Sequence, residues 1–210
     1  MKASNYDITL ARMPAEFLKY DQKRMIRMFC PDYDTDFLYL RLLDRRYRVS
    51  REEGTIEWQE EDESWSKAGF LDAMTIYDLL CCARDDCALA GRYCRAENLP
   101  GAMHGANPDK DAFSSFAKSC DQAPEKLAAA CRALGGTDLH TGEISYQLPL
   151  FPFLPVIVQF WASDEEFPPV FKLMWDENVL AFLKFETVCY AARFLTARLQ
   201  AHMGLPETTI

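Results

Sequence analysis

The sequence predicts an α+β fold in a single domain spanning residues 1–210, with antiparallel β segments packed by several helices. Three observations carry this expectation. A chain of 210 residues suits one domain with a core of its own. Strand-like runs fall into two groups, 37–58 and 144–175, with turn signals inside the groups where a parallel sheet would need crossover helices. Stripes at helical spacing flank both groups.

In chain order, residues 14–29 read as the first helix. Pro14 suits a first helical position, Phe17, Leu18, Met25, Met28 and Phe29 form an apolar stripe, and Pro31 stops it. Phe37 to Leu43 is apolar at both parities, as in a strand covered on two faces. A turn near Asp44-Arg45 leads into a strand through Tyr47 and Val49, with Arg46 and Arg48 on its other face. Glu53-Gly54 turns the chain into a strand at Thr55–Trp58, completing a meander, and Glu60–Glu63 reads as a solvated loop.

Phe70–Ala83 is the second expected helix, striped by Phe70, Ala73, Met74, Tyr77, Leu80 and Cys81. Gly91, Pro100, Gly101, Gly105 and Pro108 make 84–109 largely loop. Helices follow near Asp109–Lys118 and Pro124–Leu134, the latter stopped by Gly135-Gly136. Residues 144–161 return to strand character. Val156–Trp161 is β-branched and aromatic, whereas Pro149, Pro152 and Pro155 mark the segment before it as an edge or irregular. Phe171–Trp175 reads as a further strand and Phe185–His202 as the last helix, with Phe185, Val188, Cys189, Ala192, Leu195 and Leu199 along one stripe.

Composition excludes some functions. A net charge of −9 repels phosphate backbones, so a nucleic-acid partner is not expected. The charge is uneven: residues 1–51 hold 11 basic and seven acidic side chains, and Arg41, Arg45, Arg46, Arg48 and Arg51 are among them. That group reads as a solvated strand face or as a patch for an anion or a partner. No apolar run reaches membrane-spanning length, because Pro149, Pro152 and Pro155 interrupt the nearest one, and the opening residues lack a secretory apolar core. No membrane partner is expected, and the cytoplasm is the expected location, with the eight cysteines as thiols.

Phosphate-binding glycine loops, the dinucleotide fingerprint, the nucleophile elbow and the HExxH zinc motif are all missing, and His104, His140 and His202 sit in no hydrolase context. Cys81, Cys82, Cys87 and Cys94 lie close in sequence, but without the Cys-x-x-Cys turn that aims two sulfurs at one metal; they read mainly as packing or surface thiols. The most unusual stretch is 148–186. Its acidic groups Asp164-Glu165-Glu166 and Asp176 are set among aromatics, and adjacent β segments could bring them together. On the final helix Glu186, Tyr190 and Arg193 share one flank.

This stretch, FLPVIVQFWASDEEFPPVFKLMWDENVLAFLKFE, resembles the signature of the family catalogued as domain of unknown function 3786. The matching features are Pro155, the turn Asp164-Glu165-Glu166-Phe167-Pro168, Asp176 and Glu186. Leu40–Ser50 is similar to the family's N-terminal hairpin, Asp72–Leu80 to a helix, and Leu134-Gly135-Gly136 to a glycine pair. Gly91-Arg92-Tyr93-Cys94 departs from the family's turn at that place. The resemblance implies a discrete domain in a redox- or cofactor-related setting and supplies no catalytic residues.

The leading functional expectation is a small-ligand or cofactor-binding domain. Its candidate site is Trp161, Asp164, Glu165, Glu166, Trp175, Asp176, Glu186 and Arg193, with the aromatics as walls and Arg193 as an anion partner. Neither a cofactor nor a resident metal is assigned. A second reading uses the same carboxylates in a metal-dependent or acid–base enzyme, which needs two of them within about 4–6 Å. A third is an interaction subunit without a pocket, presenting an exposed apolar patch near Leu148–Pro155.

Overall fold

The computed structural model describes residues 5–100 and 110–205. The N-terminal helical region is two helices, α1 (Asn5–Phe17) and α2 (Gln22–Met28), where the sequence predicts one over 14–29. Pro14 falls inside α1 and not at a helix start. The division comes at Asp21, whose side chain accepts from the Lys23 N–H at 2.9 Å and so begins a new helix.

The first sheet is an antiparallel meander of β1 (Asp32–Tyr33), β2 (Phe37–Leu42), β3 (Arg45–Ser50), β4 (Ile56–Gln59) and β5 (Trp65–Lys67), in that spatial order. Leu42 pairs with Arg45, so the β2–β3 turn is Leu43-Asp44. Leu43 takes a left-handed φ of 51°, and its N–H donates to the Leu150 carbonyl at 2.8 Å, joining this sheet to the second. At the next turn Gly54 has φ 74°, and a Cβ there would lie 2.5 Å from the Pro14 carbonyl oxygen, so both conformation and space require glycine. The acidic loop 60–63 leads into β5, a strand without enough residues to show a period.

β2 is not covered on two faces. Leu38, Leu40 and Leu42 are buried, whereas Phe37 and Tyr39 are half-buried and Arg41 is exposed. Its apolar character at both parities arises from aromatics on an open face. On β3 the expected alternation holds, with Tyr47 and Val49 inward and Arg46 and Arg48 outward.

Against the inner face lies α3 (Phe70–Cys82), which ends one residue before the expected Ala83. Tyr47 donates to Asp72 Oδ2 at 2.9 Å in the core, and Tyr77 donates to the Gly54 carbonyl at 2.7 Å. The chain beyond is mostly irregular, with β6 (Tyr93–Arg95) and a short 3-10 turn at Ala96–Asn98. Gly101, His104, Gly105, Pro108 and Asp109 lie outside the described residues. Helices α4 (Lys110–Gln122) and α5 (Pro124–Ala133) then follow.

The second sheet contains β7 (Thr137–Asp138), β8 (Ile144–Phe151), β9 (Leu154–Trp161) and β10 (Val170–Asp176), in the order β6-β10-β9-β8-β7, all antiparallel. Pro149 and Pro155 face each other where the β8–β9 ladder shifts register. The edge expectation holds in part: β7 pairs only with Gln147 and Tyr146, so Pro149 lies on a stretch of β8 beyond its neighbour. The last helix, α6 (Phe185–Met203), ends at Gly204 in the left-handed region, φ 71°. It packs against α3 and α5, and one continuous core joins both sheets. Among the described residues no helix is long and apolar enough to cross a membrane.

Candidate functional site

The ladder of the second sheet decides where the predicted site residues point. Trp161 is paired with Val170, so the two share a face. Trp175 stands five residues along β10 from Val170, and successive side chains alternate, so Trp175 points to the opposite face. The two tryptophans therefore cannot line one pocket. Trp161 is half-buried on the outer face, where the Lys172 ammonium lies 4.6 Å from its ring centre. Trp175 is buried on the inner face.

The acidic groups are separated in the same way. Asp164, Glu165 and Glu166 sit in the turn leading into β10, and Asp176 ends that strand, six residue steps from its start, or about 20 Å. The β9–β10 hairpin thus holds them apart, against the expectation that adjacent segments bring them together. Asp164 builds the turn: its Oδ1 accepts from the N–H groups of Glu166 at 2.8 Å and Phe167 at 2.7 Å. Glu165 and Glu166 face solvent, and Phe167 is 65% exposed. Asp121 at the end of α4 fastens the turn by accepting from the Ser163 N–H at 2.8 Å and hydroxyl at 2.7 Å.

Asp176 is 0% exposed, and its carboxylate is committed to the backbone. Oδ1 accepts from the N–H groups of Ala90 at 2.9 Å and Asn178 at 2.9 Å, and Oδ2 from Gly91 at 2.8 Å. It clamps the loop after α3 onto the end of β10. The Gly91-Arg92-Tyr93-Cys94 segment that departs from the family pattern is the segment held here, and Arg92 adds an ion pair with Glu177 at 2.7 Å.

Glu186 and Arg193 lie on a different flank of α6 from the stripe that faces β10. Tyr190 donates to Glu186 Oε1, and the Tyr190 ring packs edge-on against Phe70 at 5.2 Å. Burial, followed by the hydrogen bond and charge of Glu186, pushes the Tyr190 phenol up. Glu186 and Arg193 thus sit beside the α3 start, away from Trp175.

What the structure does assemble is a cavity of about 310 Å³ on the inner side of β10. Phe171, Leu173 and Trp175 form its floor, and Val188, Cys189 and Ala192 of α6 form one wall. Phe113 and Ala117 of α4 form the opposite wall, with the Phe113 ring 6.0 Å from Phe171. Arg95 and Glu97, ion-paired with each other, and Pro168-Pro169 also belong to the lining. Of the eight predicted site residues only Trp175 belongs to it. The α6 residues are visible in sequence as a core stripe; nothing local marks the place where that stripe stops meeting the sheet.

A wider polar cleft of about 720 Å³ lies beside Asp44, Arg45, Trp58 and Arg198. One ion pair within it, extended by a histidine, ties the last helix to the β2–β3 turn. Arg198 grips Asp44 at 3.2 and 2.7 Å, and His202 meets the same carboxylate at 2.8 Å. Burial opposes ionisation of Asp44, but the hydrogen bonds from Arg198 and His202 outweigh it and lower its pKa.

Among the described residues no three His, Cys, Asp or Glu side chains gather so as to hold a metal ion. Burial pushes the thiol of Cys81 up to about 12, and it raises those of Cys82, Cys87 and Cys94 as well, which disfavours the thiolate form. The apolar run 148–155 is core and not an exposed patch: Leu148, Leu150, Phe151 and Leu154 are all buried.

The family model described as "Domain of unknown function (DUF3786)" matches residues 22–198. No curated protein matches the chain, and no solved structure does.

Proposed function

The chain belongs to the DUF3786 family, and from the geometry of this member we propose that it is a binding domain for a small, largely apolar molecule. The observation that carries the reading is the cavity over Trp175. Its volume of about 310 Å³ falls at the lower end of the range for ligand sites, and its lining is mostly apolar with a few polar groups at one side. Arg95 stands among those polar groups and favours a ligand with an anionic end, whereas the Lys172 ammonium is turned to Trp161 on the outer face. We place the domain in the cytoplasm. Cys30, Cys120 and Cys131 are buried in the core as thiols, which fits a compartment that keeps cysteines reduced.

Native mass spectrometry of the purified chain, followed by titration with decanoate as a probe, tests the reading. An organic adduct or saturable decanoate binding is expected. Ala192→Phe fills the cavity from α6, at a stability cost of about 1–3 kcal/mol, and is expected to weaken decanoate binding at least tenfold. A bare polypeptide mass together with no decanoate binding would sink the proposal, as would unchanged binding by the filled variant.

A further inference from the structure

We propose that the open outer face of the first sheet is a platform for single-stranded nucleic acid. The sheet register builds this face in rows. Arg41 of β2 lies directly across from Arg46 of β3, and Gln59 of β4 is paired with Trp65 of β5. In the next row Asp32, Tyr39, Arg48, Glu57 and Lys67 follow one another across all five strands. Five strands at a spacing of about 4.8 Å give a width of about 19 Å.

Two features of these rows fit nucleic acid. First, the aromatics and guanidiniums are already stacked. Arg46 lies 4.6 Å from the centre of the Tyr39 ring, and Arg48 lies 4.4 Å from Phe37 and 4.3 Å from Trp65. Unpaired bases stack on both kinds of plane, so the face offers sequence-tolerant seats. Second, the charge is arranged at a cost. Like charges directly opposite on neighbouring strands are destabilising, yet Arg41 faces Arg46 and has no carboxylate partner among the described residues. Arg46 meets Asp32 at 3.1 Å, and Arg48 meets Glu57 at 2.7 Å, while Arg41 and Lys67 stay exposed and unpaired among the described residues. An anionic polymer would relieve that repulsion and supply the missing counter-charge.

The net charge of −9 argues against phosphate binding for the chain as a whole, but it says nothing of one face, and residues 1–51 carry a net of +4. The acidic remainder implies that binding is confined to this face and is sensitive to salt.

The test is fluorescence anisotropy of labelled oligouridylate and oligothymidylate, each about ten nucleotides long, titrated with the full chain. Binding is expected at about 50 mM salt, falling roughly tenfold by about 200 mM. Tyr39→Ala or Trp65→Ala is expected to weaken binding by at least about fivefold through lost stacking. Arg41→Gln changes an exposed side chain with no ion-pair partner among the described residues, so it is expected to keep the fold and to flatten the salt dependence by about 0.7 in log–log slope. Ala192→Phe should leave anisotropy unchanged, which separates this proposal from the cavity reading. Tighter binding of the uridylate would assign the face to RNA through the 2′-hydroxyl, and equal binding to single strands in general; both support the proposal. It is overturned by flat titrations with both oligonucleotides. Binding that ignores Tyr39→Ala and Arg41→Gln alike also overturns it, as does polyglutamate competing as well as an oligonucleotide, since the face would then be a dock for acidic proteins.

Discussion

Asp176→Ala is expected to destabilise the fold by about 3–5 kcal/mol, because it strands buried groups that a single carboxylate satisfies. Three backbone N–H groups, those of Ala90, Gly91 and Asn178, converge on it within 2.9 Å. Alanine leaves all three without an acceptor in a place from which water is largely excluded. In a chain of this size that loss corresponds to a fall in Tm of roughly 10 °C. Asp176→Asn keeps one carbonyl oxygen but turns an amide N–H₂ toward one of the donors, so an intermediate loss is expected. Urea denaturation gives the magnitude, and hydrogen exchange at Ala90 and Gly91 gives the place. A loss under about 1 kcal/mol with protection unchanged would show that Asp176 is not the clamp, and would reopen the idea of a ligand-facing carboxylate.

Tyr47→Phe is expected to cost about 2–3 kcal/mol near neutral pH and clearly less near pH 4. The pair it breaks is Tyr47 with Asp72, side chains 0% and 3% exposed, bonded at 2.9 Å. Burial raises the Asp72 carboxyl above its ordinary 3.8, while the hydrogen bonds from Tyr47 and the Ala73 N–H and the nearby Arg45 charge pull it down. The raised value means that the native state holds this proton more tightly than the unfolded chain does. The stability it contributes is therefore full below about pH 4 and is lost as pH rises through the folded value. Removing the Tyr47 hydroxyl takes away a bond to the charged form and lifts the carboxyl further, so the penalty grows with pH. Denaturation midpoints of both proteins at about pH 4 and 7 decide the matter. A penalty independent of pH would mean that the hydroxyl matters for packing and not for the carboxylate charge.

Much of the architecture is legible where a period is long enough to read. Phe70–Cys82 and Phe185–Met203 each show a stripe through three or more turns, and their observed limits differ from the expected ones by a single residue. Trp65–Lys67 and Tyr93–Arg95 are strands of three residues, and only the partners Glu57–Gln59 and Met174–Asp176 make them strands. The first helix is misread because its stripe is weak and Pro14 suggests a beginning where the chain is near an end.

The site is less legible, for a geometric reason. The composition of 148–186 marks it as unusual, but face and end are set by register. Parity sends Trp161 outward and Trp175 inward, and the hairpin sends Asp164 and Asp176 to opposite ends of β10. The cavity wall from α4 comes from another part of the chain altogether, and no local pattern announces that Phe113 meets Phe171.

The clamp at Asp176 also bears on the order in which the molecule assembles. The first sheet closes only short turns within 32–67, whereas Ala90 and Asp176 are 86 residues apart. Loop-closure entropy rises with the logarithm of length, so the meander can form early and the clamp must wait until β8, β9 and β10 are in place. Opening should run in reverse, with 84–95 leaving first and uncovering the edge of β10 while the meander persists. Native-state hydrogen exchange would then find Ala90 and Gly91 opening at a lower free energy than Leu38 and Val49, and the opposite ranking would refute this order.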